Sequence, residues 1–359
     1  MLCCDKLMKA GCIMDSNQIN HTIEQKIAHF MSLISEQTNS DLNAQSFSRY
    51  KSWEWCYKYF QDHHNLAGLS DDEKESIIDT MALHLGFYLA SWGMYRGSSF
   101  LLQRDYKAHI PAVKAILDLD KNLNQGTKYD LLWNFVPSEK NIDEIDEADK
   151  QLFGEDGIYF KVKKSYKKNC NDGADETSQN GDKSADSEGL ASDTLVTKIL
   201  LGTFGCIPAF DRYLKKGISI SNGKGYTKEF PTNIEGKNHD IFKKLCHLYI
   251  DNISNVNLNS LVGYPPMKKV DMFFWEIGYE ADIKKQLCAL MSDIAKSKNR
   301  DVYIQRKFNK IEYFFSLLEK MKVDIIDLEK GKKIEVEKIK GNYDELKASM
   351  ISDKTKSTE

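Results

Sequence analysis

The chain of 359 residues has no CxxC pair; its eight cysteines (Cys3, Cys4, Cys12, Cys56, Cys170, Cys206, Cys246, Cys288) are scattered. That spacing argues against a disulfide framework or structural zinc, and for a reduced, cytoplasmic protein. The N-terminal stretch MLCCDKLMKAGCIMDS has no apolar run long enough for a signal peptide or a membrane span. Lys9-Ala10-Gly11-Cys12 places small residues before a cysteine, but no hydrophobic segment leads into it, and Met14 is a candidate start. There is no excess of positive charge: the formal net charge is −3, so any nucleic-acid surface must come from local basic patches. Glycine-rich phosphate loops are missing, which argues against NTP hydrolysis. HxxxD, DxD and ExK clusters in apolar strand context are missing too, which argues against a metal-carboxylate hydrolase. No cofactor and no metal are expected.

The chain does have apolar residues at helical spacing. Hydrophobic residues at 41% and charged residues at 29% describe an ordinary globular protein, long enough to bury a sizeable core. Residues 15–37 carry Ile19, Ile23, Ile27, Phe30, Leu33 and Ile34 on one helical face. Residues 46–60 interleave Phe47, Tyr50, Trp53, Trp55, Tyr57, Tyr59 and Phe60 with Arg49, Lys51 and Lys58. Base stacking is one reading of that run; the preferred reading is a helix packing its aromatic face inward. His63-His64 reads as an exposed loop pair. Ser70 followed by Asp71, Asp72 and Glu73 predicts a helix start, with the helix running to about Ser91.

Trp92 to Gly97 (WGMYRG) interrupts the pattern, and a single amphipathic helix is expected from Ser98 to about Leu119. Residues 141–150 form an acidic, solvated stretch with an amphipathic trace, and residues 157–162 are expected to be a short strand or extended segment. The basic run from Lys161 to Lys168, with Lys163 and Lys164, is either a phosphate-contact site or the solvated flank of a linker. Between Asn169 and Ser187 the composition falls to Asn, Asp, Gly, Ser, Glu and Gln, a disordered insertion rather than a domain. Helices are expected at residues 239–252 and, after a Pro-Pro turn, from Gly263 to Asp282. Beyond about residue 283 the chain is highly charged, with a helical patch at residues 303–321 and a polar tail.

The most informative stretch is Asp193 to Lys216, DTLVTKILLGTFGCIPAFDRYLKK. Leu195, Ile199, Leu200 and Leu201 give a helical apolar face. Gly202 and Gly205 are expected to loosen the backbone, and Pro208 stops the helix. Asp211 then stands where a second helix can begin, able to cap it.

This order resembles the core of the helix-hairpin-helix DNA glycosylases, in which a glycine hairpin leads into a buried helix, a Gly/Pro loop and a catalytic aspartate at the next helix head. Laid on that pattern without gaps, Gly189 falls on the first hairpin glycine, Thr194 on the threonine, Phe204-Gly205 on a Phe-Gly pair and Asp211 on the catalytic aspartate. Ala191 replaces the second hairpin glycine and Asp193 the lysine of strand-cleaving members; the four cysteines that hold an iron–sulfur cluster in some members are absent. The resemblance implies an Asp211-dependent, monofunctional glycosylase acting on double-stranded DNA with a flipped base. Gly205, Cys206 and Ile207 would bring backbone to the cleft, and Trp92, Met94, Tyr95 or Arg96 would fill the gap left by the base. A plain connector with Trp92 buried is the other reading of that turn. The Trp53 region and the Met272–Trp275 segment are candidate pocket walls.

Together these readings predict an all-α protein. A helical core covers residues 15–285, a disordered insertion residues 169–190, and a charged helical arm and polar tail residues 286–359, available for a protein partner or self-association. Base removal in repair or in defence against modified phage DNA is the favoured function. The alternative is a non-enzymatic, partner-binding or defence-associated helical module.

Overall fold

The computed structural model describes residues 16–35, 51–97, 99–118, 128–166, 191–222, 240–256, 263–296, 302–320, 340–345 and 347–348. Among these the chain is all-α and contains no strand. The first helices follow the apolar spacing. Helix α1 (Ser16–Ser35) buries Ile23, Ile27 and Phe30, and α2 (Lys51–His63) turns Trp53, Cys56 and Phe60 inward while leaving Trp55 in solvent. Helix α3 (Asp71–Ser91) opens on a capping box: Ser70 Oγ accepts from the Glu73 N–H, and the Glu73 carboxylate accepts from the Ser70 N–H. Two N–H groups that the helix cannot pair are thereby satisfied.

The single helix expected from Ser98 is instead three pieces: 3-10 turns at Phe100–Gln103 and Tyr106–His109, then α4 (Ile110–Ile116). Ser99 and Asp105 each cap the turn that follows, and Pro111, which has no N–H, fits only the first turn of a new helix. After α5 (Asp130–Trp133), the acidic stretch is helix α6 (Ile142–Phe153), which buries Ile145, Ala148, Leu152 and Phe153. Residues 157–162, expected to be extended, belong to α7 (Ile158–Ser165). Ile158, Tyr159, Val162 and Tyr166 are all buried at helical spacing, and packing against α4, α6 and α8 overrides their strand preference.

Helix α8 (Asp193–Thr203) is buried on every side and runs through Gly202, which therefore does not loosen it. A Cβ there would lie 2.6 Å from the Tyr88 ring, so Gly202 serves the α3–α8 contact. Helix α9 (Arg212–Ser221) follows, then α10 (Asp240–Leu248) with a π-turn at Tyr249–Ile253, the long α11 (Pro266–Lys296) and α12 (Val302–Lys320). Helices α9 and α11 cross with their backbones in contact: a Cβ on Gly217 would lie 1.9 Å from Phe274 O, and one on Gly278 1.9 Å from Tyr213 O. Only glycine at both positions permits that approach, which sets the head of α9 against α11.

The border expected near residue 285 falls inside α11, which continues unbroken. Its Ile283, Leu287 and Ile294 form a second apolar cluster with Phe308, Ile311, Phe315 and Leu318 of α12 and with Tyr343. Gly189, the insertion 169–190, Lys167-Lys168 and the polar tail lie outside the described residues.

Candidate functional site

One face of α8 builds the site. Thr194 Oγ1 donates to Phe210 O at 2.9 Å, and Thr197 Oγ1 accepts from the Phe210 N–H at 2.9 Å. Both backbone groups of the fully buried Phe210 are thus held by threonines three residues apart on the same face. Asp211 emerges next, with its carboxylate at the head of α9. Its Oδ1 accepts from the N–H groups of Tyr213 (2.9 Å) and Leu214 (3.0 Å), so the expected helix cap forms. Its Oδ2 accepts from Lys198 Nζ at 3.0 Å, one helical turn along α8 from Thr194. The Lys198 and Asp211 side chains are 4% and 14% exposed, so the ion pair lies at the edge of the protein interior.

The approach to Asp211 is braced from α11. The Ala209 N–H donates to Asp271 Oδ1 at 3.0 Å, and Lys268 Nζ pairs with Asp271 Oδ2 at 2.9 Å, both side chains almost fully buried. Trp92, at the end of α3, spans the two ion pairs. Lys198 Nζ lies 4.9 Å and Lys268 Nζ 5.3 Å from its ring. Lys268 Nζ also lies 5.0 Å from the Trp53 ring and 5.1 Å from the Phe30 ring, a near-complete aromatic enclosure for its charge. Trp275 stands 6.0 Å from Trp92, 5.2 Å from Tyr213 and 4.7 Å from Tyr279. Trp53 and Trp275, expected as candidate pocket walls, are each only 2% exposed and packed into the core, Trp53 stacked on Tyr57 and Trp275 on Tyr279. Burial, with Asp271, the Cys56 thiol and Asp211 nearby, pushes the Tyr88 phenol well above its ordinary range. The cluster is electrically balanced, two ammoniums against two carboxylates, and backed by aromatic faces.

Further along α11, Glu276 lies 2.5 Å from His29 Nδ1 of α1, and Glu280 pairs with Lys26 and, at 3.0 Å, with Lys284. These contacts clamp α1 beneath Trp275, with Phe30 edge-on to that ring at 5.3 Å.

Other predicted residues sit apart. Gly205 has φ +69°, and a Cβ on it would lie 2.5 Å from Pro265 and 2.9 Å from Tyr57, so it faces packed side chains while its N–H closes α8 on Leu200 O. Cys206 and Ile207 are buried, and burial raises the Cys206 thiol far above its ordinary range, where a thiolate does not form. Arg96 is exposed on the Trp92–Gly97 turn, its guanidinium folded over Gly93. On α7, Lys161 pairs with Asp118 (3.2 Å) and Lys163 with Asp193 (2.8 Å), which leaves Lys164 of the three in solvent. The His63-His64 pair is not a solvated loop: His63 stacks on Tyr59 and His64 on Trp133.

Sequence reasoning did not assign Lys198, Lys268 or Asp271 to the site. A signal existed for Lys198, a lysine inside the otherwise apolar helix LVTKILL in register with Thr194. Lys268 and Asp271, three residues apart, are indistinguishable in sequence from a surface ion pair. No helix among the described residues is long and apolar enough to cross a membrane, and none of their His, Cys, Asp and Glu side chains form a group of three suited to a metal ion. Comparison with protein-family models, curated proteins and solved structures finds no match to the chain.

Proposed function

We propose that the protein hydrolyses the N-glycosidic bond of a modified or damaged base in double-stranded DNA, leaving an abasic site, with Asp211 as the catalytic carboxylate. One observation carries the reading. Asp211 is held at a helix head by two N–H groups and one ammonium, keeps 14% of its side chain exposed, and its lysine partner lies over the Trp92 ring. Bond cleavage makes the sugar an oxocarbenium ion, which a fixed, poorly solvated carboxylate stabilises. A base rotated out of the duplex needs flat apolar surfaces to rest on, and Trp92 and Tyr213, both only partly buried, are the rings near Asp211 suited to that. Arg96 and Lys164 are exposed cations suited to phosphate contacts; Lys161 and Lys163 would have to exchange their carboxylate partners. Repair and defence against modified phage DNA are both served by this chemistry.

The test is base release from duplexes carrying deaminated, alkylated, oxidised or phage-type modified bases, read as alkali-labile sites. Asp211→Asn alone strands the buried Lys198 charge, so it is compared with Asp211→Asn/Lys198→Met, which removes both. Release that both variants abolish while keeping the native fold supports the reading; release that survives in them places the chemistry elsewhere.

A second reading, a non-enzymatic partner-binding module, is favoured by Leu83 and Phe87, four residues apart on α3 and 51% and 60% exposed, and by Tyr313 on α12. Duplex affinity that does not fall with rising salt, together with no base release, would favour it.

A further inference from the structure

We propose that the site is selective for bases that depart as anions, with Lys198 supplying the positive charge that the leaving base requires. The inference rests on the reading of Asp211 given above. Breaking the C1′–N bond sends both electrons to the base nitrogen, so a base uncharged in the nucleoside leaves negative while the sugar turns positive. Two fixed charges of opposite sign, close together and shielded from water, match that separation. Asp211 and Lys198 are such a pair, 3.0 Å apart and 14% and 4% exposed, beside the Trp92 ring face. Pure stability does not call for them, since a buried ion pair contributes little more than apolar side chains of the same size.

Lys268, near the same Trp92 ring, is buried against Asp271, which is itself tied to the Ala209 N–H, so its charge is already balanced. An alkylated base that is already cationic in the nucleoside leaves neutral, so it draws no help from Lys198. The overall step balances with water alone. The C1′–N bond breaks and the base leaves as an anion held by the Lys198 charge, a water oxygen bonds to C1′, and the proton lost by water, accepted by Asp211, ends on the departed base. The products are the free base and the C1′ hydroxyl.

The experiment measures single-turnover base release by the full chain from duplexes containing uracil, 5-fluorouracil or 8-oxoguanine (uncharged in the nucleoside) or 7-methylguanine (cationic). Wild type, Lys198→Gln and Lys198→Arg are compared, with circular dichroism confirming the fold. Wild type is expected to release one or more of the uncharged class, and Lys198→Gln to slow that release about 100-fold, the usual loss for one preorganised donor. Where the pyrimidines are substrates, 5-fluorouracil is slowed less than uracil, because its more acidic N1 needs less help; Lys198→Arg retains most of the rate. Two results overturn the proposal while leaving Asp211 catalytic: release of 7-methylguanine alone, or equal slowing of every base by Lys198→Gln. If Lys198→Gln does not fold, the wild-type preference between uncharged and cationic bases decides alone. No release of any of these bases by folded wild type refutes the proposal, and the broader panel of bases above then decides whether the glycosylase reading falls with it.

Discussion

Acid should destabilise this protein through the buried His109. His109 is fully buried between two tyrosines: its Nε2 lies 2.6 Å from the Tyr95 hydroxyl and its Nδ1 2.7 Å from the Tyr166 hydroxyl. Burial lowers its pKa to about 4, against a small opposing pull from Asp105. In the unfolded chain an imidazole titrates near its ordinary value of about 6.5. The sign follows from linkage. Above pH 6.5 both states are neutral and the folded form keeps its full stability. As the pH falls, the unfolded chain binds a proton that the folded one refuses, until about pH 4. The resulting loss is about 2 kcal/mol at pH 5 and levels at about 3 kcal/mol below pH 4. His109→Gln keeps a donor and an acceptor for the tyrosines but cannot titrate. Urea unfolding of both proteins from pH 7.5 to 4.5 isolates the effect, because every other group cancels in the difference. Wild type should lose about 2 kcal/mol relative to His109→Gln between pH 7.5 and 5. A pH-independent difference, or an NMR titration of His109 with a midpoint near 6.5, would refute the reasoning. Tyr95 lies on the turn that carries Trp92, so that turn should loosen over the same pH range.

Three further outcomes are expected. Gly217→Ala sets a methyl 1.9 Å from Phe274 O and should cost about 3 kcal/mol or more in urea unfolding, whereas Gly341→Ala, with open space around it, should be neutral or slightly stabilising. Thr197→Val removes the acceptor of the buried Phe210 N–H and should cost about 1–3 kcal/mol, with Thr197→Ser close to wild type; equal effects of the two would sink the hydrogen-bond argument. Lys268→Met strands the buried Asp271 carboxylate and should cost about 3–5 kcal/mol, most of it recovered in Lys268→Met/Asp271→Asn, where the amide oxygen still accepts from Ala209; an additive double variant would count against the pairing.

The sequence by itself determined much of the helical layout. Ile23, Ile27 and Phe30 on α1, and Trp53, Cys56 and Phe60 on α2, face inward at the spacing that amphipathic helices require. Ser70 and Glu73 mark the start of α3, and Asp211 the start of α9, because capping chemistry is local and reads directly from residue type. Sequence was least informative where neighbours decide. The strand-like residues 158–162 become helical because α4, α6 and α8 bury one side of them, and Asp105 and Pro111 divide what periodicity alone reads as one helix. For the site, residue type and position gave Asp211 as a helix cap, but not its partner Lys198. Only the tertiary structure brings Lys198 of α8 and Lys268 and Asp271 of α11 around Trp92 at the end of α3. Long-range electrostatic pairing leaves no period in the chain. It exists only once the helices have packed and water has been excluded from between the charges.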